Sequence, residues 1–171
     1  GTVNSVQQPA EDDLLGVHSY KLDNGLQVYL MKNEQEPRFY AEVAVRTGSR
    51  NDPAENTGLA HYLEHLLFKG TDEIGTINYE AEKPHLDRIR ELYELHFEES
   101  DPEKRKDIYE QIDAEAQLAS QYQVPSEFNS LYQQLGGQAL NAHTWRDETV
   151  YKVDLPANRV RNWAAIEAER F

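Results

Sequence analysis

Apolar and polar residues alternate in five short stretches of the chain, which is the period of half-buried strands. An Asn24-Gly25 pair separates the first two stretches, and both residues tolerate the positive φ of a tight hairpin turn. Three of the stretches follow one another directly, and their simplest arrangement is an antiparallel meander. The predicted strands cover residues 17–22, 26–31, 39–45, 139–144 and 149–155.

Apolar residues recur at helical spacing in two shorter segments outside those strands. One helix is predicted from Gly58 to Lys69, with Thr57 as its N-cap and Gly70 as its C-cap. The last helix runs from Arg159 to Phe171 without a stop signal, so we expect that the chain has been cut there.

Residues 79–135 have a different character from the rest of the chain. Between Glu80 and Glu127 there are 14 acidic and 6 basic residues, so this stretch carries a net charge of −8 out of −14. Asp101 is placed to cap a second helix that begins at Pro102. The pattern predicts a charged helical hairpin inserted into the domain.

Together these elements predict an α+β fold, a mainly antiparallel sheet with helices packed largely on one face and the inserted hairpin protruding. The polar residues 1–13 are predicted to be a loose segment, and residues 14–171 to form one domain with its insertion at about residues 79–135. No apolar run approaches the roughly 20 residues needed to cross a membrane, so no membrane span is expected.

The charge of −14 and the isoelectric point near 4.8 argue against a nucleic-acid partner, because no excess of Lys and Arg is present to neutralise phosphates. The chain has no cysteine, which excludes disulfides, thiol nucleophiles and thiolate metal ligands. No signal peptide is predicted at the polar start. That start fits a periplasmic or otherwise exported bacterial protein after processing, without fixing the compartment.

Candidate chemistry lies in the predicted helix that contains His61, Glu64 and His65. Residues three and four apart share one helix face, so the two imidazoles can bind one Zn²⁺ while Glu64 accepts a proton from water. This is the inverted H-x-x-E-H order of metallopeptidases. The spacing alone also fits two exposed histidines beside a solvated glutamate.

Four stretches in the same order resemble the pitrilysin/insulinase (M16) family of zinc metallopeptidases, which includes the mitochondrial processing peptidases. The resemblance covers most of the chain outside the insertion. The stretches are residues 22–28, 48–53, 58–71 and 136–144, the last running on to residues 149–151.

This resemblance implies roles for individual residues. His61 and His65 match the two zinc-binding histidines, and Glu64 matches the general base. The third ligand of the family is a later glutamate, which by its usual offset and the length of the insertion falls beyond residue 171. The late acids Glu167 and Glu169 come too early and are interpreted as solvated residues.

The resemblance also implies a substrate site on an edge strand near the metal. Asn141, Ala142 and His143 match that strand, where extended peptides bind by backbone pairing. His143 is interpreted as a strand-surface residue rather than a ligand. For Tyr151, substrate contact and core packing both remain open.

The function implied is a zinc-dependent endopeptidase that hydrolyses extended peptides or unfolded proteins. The family's enzymes have two homologous halves, so this chain is expected to be an incomplete fragment that works with further domains of the same or a partner chain. We expect the fragment alone to be weakly active or inactive. The alternative is a catalytically inactive homologue that acts as a binding or scaffold subunit.

Overall fold

Two separate sheets organise the chain, of which a computed structural model describes residues 2–9 and 13–171. The chain divides into two units, residues 1–39 and residues 40–171. The sheet of the first unit has the order β1-β2-β3, and both of its strand pairs are antiparallel. Its strands are β1 (Val3–Gln7), β2 (His18–Leu22) and β3 (Gln27–Leu30).

The predicted hairpin between β2 and β3 is confirmed. Gly25 donates its backbone N–H to the carbonyl of Leu22 at 2.9 Å, and its φ of +87° is accessible to glycine at little cost. The first strand departs from the expectation of a loose start, because residues 3–7 pair with β2. The rest of the predicted segment includes residues 1 and 10–12, which lie outside the described residues.

The second sheet has the order β4-β6-β5, formed by β4 (Arg38–Val45), β5 (Gln138–Thr144) and β6 (Thr149–Pro156). The predicted meander is therefore wrong in its third strand, since β4 lies beside β6 and not beside β3. The reason is that β6 is buried along most of its length and takes the central position, with a neighbour on each side. Local alternation predicts a strand but not its partner.

Five helices complete the described part of the chain, which confirms the α+β class. The first helix is shorter than predicted: it runs from Leu59 to Leu66, with Gly58 rather than Thr57 as its N-cap and Leu67 rather than Gly70 as its C-cap. None of the described helices is long and apolar enough to cross a membrane. The helices are α1 (Leu59–Leu66), α2 (Tyr79–Glu98), α3 (Pro102–Ser120), α4 (Glu127–Gln134) and α5 (Val160–Arg170).

Helices α2 and α3 form the predicted hairpin and pack on each other around Leu92 and Ile112, which are 2% and 3% exposed. The predicted cap is present, since Asp101 accepts from the backbone N–H groups of Glu103 and Lys104. The chain enters and leaves the hairpin side by side, with an antiparallel bridge between Thr76 and Gln123.

The last helix of the predicted insertion, α4, does not belong to the protruding hairpin. Its Phe128 and Tyr132 are 2% and 1% exposed and lie in the core of the second unit with Val153 and Leu155 of β6. Gly137 follows α4 so closely that a Cβ there would lie 2.7 Å from the carbonyl oxygen of Tyr132. The helical hairpin of the insertion is therefore confined to α2 and α3.

Candidate metal centre

A carboxylate from the preceding loop caps the helix that carries the motif. Asp52 accepts from the backbone N–H of Gly58 at 2.7 Å and from that of Ala60 at 2.9 Å. These donors have no carbonyl partner within the helix, so the carboxylate satisfies them and lies favourably at the positive end of the helix dipole. Asp52 therefore caps the start of α1.

The loop that contains this cap rests on the turn between β5 and β6. Ser49 and Arg50 donate their backbone N–H groups to the carbonyls of Trp145 and Arg146, both at 2.9 Å. Gly48 permits the approach, because a Cβ at this position would lie 2.3 Å from the Trp145 oxygen. The start of α1 is therefore tied to the end of β5.

His61 and His65 come together on the exposed side of α1, as the motif predicted. Their Nε2 atoms lie 3.1 Å apart and their ring centroids 4.7 Å apart. Two nitrogens bound to one tetrahedral zinc ion at about 2.05 Å would lie about 3.3 Å apart. The spacing fits a shared cation, and it also fits an N–H···N hydrogen bond between neutral imidazoles.

Glu64 lies on the adjacent side of α1, facing β5, and is only 7% exposed. Its Oε2 accepts a hydrogen bond from Oγ1 of Thr144, the last residue of β5, at 2.5 Å. A buried carboxylate without such a partner would be costly. Sequence reasoning did not single out Thr144, because 80 residues separate it from Glu64 and no local pattern links the two.

The substrate residues expected from the resemblance lie on β5, which is an edge strand of its sheet. Ala142 and Thr144 share the face toward α1, whereas alternation puts Asn141 and His143 on the opposite face, where both are exposed. The His143 side chain is therefore directed away from the His61–His65 side of the sheet. This geometry favours its interpretation as a strand-surface residue.

The histidine pair offers two possible ligands for a metal ion. Within residues 2–9 and 13–171, no group of three or more His, Cys, Asp or Glu side chains could hold a metal ion. A tetrahedral catalytic zinc has three protein ligands and one open position. The donor set therefore fits part of such a site.

Glu167 is not the solvated acid that the sequence suggested. It is 8% exposed, its Oε1 accepts from the hydroxyl of Tyr132, and it lies 3.6 Å from Nη1 of Arg170. Burial raises the pKa of the Tyr132 phenol above its usual value, and the hydrogen bond to Glu167 acts in the same direction. Glu167 is thus engaged in the core.

Arg170 is a buried cation enclosed by aromatic rings. Its guanidinium carbon lies 4.3 Å from the ring centroid of Tyr151 and 4.8–5.0 Å from those of three phenylalanines. Burial lowers the pKa of Arg170, and the nearby Glu167 opposes that effect. Tyr151 is 5% exposed, which favours the core-packing alternative for this residue. The three phenylalanines are Phe68, Phe128 and Phe171.

This aromatic cluster lies next to the C-terminal end of α1. Phe68 comes three residues after His65, and its ring meets that of Phe128 edge-on at 5.7 Å. The cluster therefore anchors the chain directly after α1, as Asp52 anchors it directly before. Sequence reasoning missed the cluster, because its rings come from four separate parts of the chain.

Comparison with known proteins supports the resemblance seen in the sequence. Residues 27–83, which include the histidine motif, match the sequence model of insulinase, peptidase family M16. The insulin-degrading enzyme homolog of Dictyostelium discoideum is 43% identical over 53 residues, 31% of this chain and 6% of that protein. The insulin-degrading enzyme of Drosophila melanogaster is 34% identical over 73 residues, 42% of this chain and 7% of that protein.

Solved structures share the fold over almost the whole chain. A protease from Helicobacter pylori matches with a TM-score of 0.60 and 22% identity, covering 92% of this chain and 26% of that one. Pitrilysin matches with a TM-score of 0.58 and 19% identity, covering 96% and 13%. The first half of the periplasmic protease PqqL from Escherichia coli matches with a TM-score of 0.56 and 20% identity, covering 97% and 26%.

These findings show similarity to the M16 insulinase-type family in sequence over residues 27–83 and in fold over almost the whole chain. Two further relatives, from Schizosaccharomyces pombe and Haemophilus influenzae, have zinc protease in their names. The chain spans only 5–7% of the length of the curated relatives it matches.

Proposed function

We propose that this chain is the motif-bearing domain of a zinc-dependent endopeptidase, with His61 and His65 as metal ligands and Glu64 as general base. The observation that carries the proposal is the arrangement on α1. Two imidazole nitrogens lie 3.1 Å apart on one side of the helix, and a buried carboxylate held by Thr144 lies on the adjacent side. A solvated glutamate beside two unrelated histidines would need neither burial nor a fixed partner.

The proposed chemistry assigns a distinct task to each side chain. A zinc ion bound to the pair would supply Lewis acidity, polarising the scissile carbonyl and making water more acidic. His61 and His65 would hold that ion through their imidazole nitrogens. Glu64 removes a proton from the attacking water and delivers it to the nitrogen of the departing amine.

The exposed edge of β5 is proposed as the peptide-binding element. In the described part of the chain β5 pairs with β6 alone, so its other edge presents backbone donors and acceptors. An extended peptide adds to such an edge as a further strand, which favours short or unfolded substrates. We propose that Asn141, Ala142 and His143 form this subsite, chiefly through their backbone.

The remaining parts of the enzyme are proposed to lie in further domains of the same or a partner chain. They would supply the third ligand, a glutamate beyond residue 171, and the surfaces that enclose the substrate. The structural neighbours support this, since the chain covers 26% of the first half of PqqL and 13% of pitrilysin. We expect this domain alone to turn over peptides slowly or not at all.

The test uses the longer enzyme that contains this chain and a quenched fluorescent peptide without stable structure. We expect cleavage to stop when zinc is chelated and to return when zinc is restored. Glu64→Gln should retain zinc but lose cleavage by at least about 100-fold, within the range for a removed general base. Full activity in Glu64→Gln would reject the proposal, whereas zinc-loaded enzyme that binds peptide without cleaving it would favour the scaffold alternative.

A further inference from the structure

Oγ1 of Thr144 lies 2.5 Å from Oε2 of Glu64, a short contact of the kind a hydroxyl makes with a carboxylate. Thr144 is the last residue of β5, and its backbone is fixed by the pairing with Thr149 on β6. The hydroxyl therefore approaches Glu64 from a rigid sheet rather than from a loop.

The hydroxyl of Thr149 is the other possible hydrogen-bond partner of the Thr144 hydroxyl. Thr149 is 5% exposed and donates to the backbone carbonyl of Thr47 at 2.8 Å, and its Oγ1 lies 3.4 Å from that of Thr144. A hydroxyl has one proton to donate. Thr149 uses its proton for Thr47, and Glu64 at 2.5 Å is a closer acceptor for the Thr144 proton than Thr149 at 3.4 Å.

The helix alone does not orient the carboxylate. Helical geometry fixes the Cα and Cβ of Glu64, but the terminal torsion of a glutamate is broad and its two oxygens can exchange places. When a short hydrogen bond holds one oxygen of the Glu64 carboxylate, the other oxygen is left to accept and release a proton. A base must hold its oxygen within hydrogen-bond reach of the proton it removes.

We propose that Thr144 is a positioning residue for the general base: it holds Oε2 of Glu64 so that Oε1 accepts and returns the proton. This inference rests on the proposed peptidase function. Thr144 acts through Glu64 and contacts neither the metal nor the scissile bond. Its loss should therefore lower kcat while KM and zinc affinity stay the same.

Two matched pairs of side chains test the inference in the longer enzyme. Thr144→Val keeps the β-branched shape and removes the hydroxyl, and we expect kcat to fall about 10- to 100-fold, as for other removed outer partners of a site. Thr144→Ser restores the hydroxyl and should return kcat to within about 3-fold of the original. Thr144→Ser and Thr144→Ala form the second pair, for use if the valine variant does not fold.

Zinc content, zinc affinity and the urea midpoint are measured beside the kinetics. A fall in kcat with unchanged KM and zinc binding, reversed by serine, supports the positioning role. Loss of zinc or a rise in KM in Thr144→Val would overturn it, and so would unchanged kcat. If Glu64→Gln is inactive but Thr144→Val is fully active, this inference alone fails; if Glu64→Gln is fully active, the proposed function itself fails.

Discussion

Replacing Arg170 with alanine tests whether the buried cation stabilises the aromatic cluster next to the end of α1. The change removes a guanidinium whose side chain is 2% exposed. It leaves the Glu167 carboxylate, whose side chain is 10% exposed, without a nearby cation. The four aromatic rings lose their common partner, at 4.3–5.0 Å from each centroid. Tyr132 keeps its hydrogen bond to Glu167, so the carboxylate remains buried.

The expected loss in free energy of unfolding is that of removing one partner from a buried ion pair, about 3–5 kcal/mol. The cation–π contributions, about 0.5–2 kcal/mol each, are not added to this range ring by ring, because contacts that share one side chain are not additive. For a chain of this size, each kcal/mol lowers the melting temperature by about 2–4 °C. We therefore expect Tm to fall by about 6–20 °C.

Thermal and urea unfolding followed by circular dichroism measure the change in Tm and in the free energy of unfolding, with Arg170→Met and Glu167→Gln as further variants. Arg170→Met keeps much of the side-chain volume without the charge. The double variant, which combines Arg170→Met with Glu167→Gln, removes both charges. We expect the double variant to be more stable than Arg170→Met alone, with a coupling of about 1–3 kcal/mol. A loss below about 1 kcal/mol in Arg170→Ala, or additive effects in the cycle, would refute this account of the cluster.

Three further predictions concern the parts that surround the site. Asp52→Ala should destabilise the second unit by about 1 kcal/mol and weaken zinc binding through fraying of α1, with Asp52→Asn closer to the original; equal urea midpoints would contradict the cap. Replacing residues 79–120 with an Asn-Gly turn should preserve zinc binding, because the chain closes at the Thr76–Gln123 bridge; lost binding would show that the hairpin supports the site. Burial raises the pKa of Tyr132, so the unfolded chain releases this proton first and stability falls as pH rises past about 10. Tyr132→Phe should flatten the fall in urea midpoint between about pH 9 and 11, whereas exposed Tyr93→Phe should not.

The sequence predicted features that depend on neighbouring residues. The helix of His61 and His65, the cap at Asp101 and the turn at Gly25 each follow from contacts within about four residues, where periodicity and turn chemistry apply. The spacing of the two histidines on one helix face is such a feature, which is why the candidate site could be recognised before its geometry.

Features that join distant segments could not be predicted in the same way. The alternation in β4 indicates a strand, but its place beside β6 depends on which strand is most buried. Thr144 meets Glu64 only because the β5–β6 turn rests on the loop that starts α1. Composition favours an exposed Arg170, and only the assembled fold shows the aromatic rings that make its burial tolerable.

The most direct test of the central claim is the zinc affinity of this chain beside that of His65→Ala, measured by titration against a chelating indicator. His96→Ala, in the α2–α3 hairpin, is the matched control for loss of a histidine. The account predicts about one weakly bound zinc per chain, lost in His65→Ala and retained in His96→Ala. Equal zinc binding by the original chain and by His65→Ala would contradict a metal centre on α1.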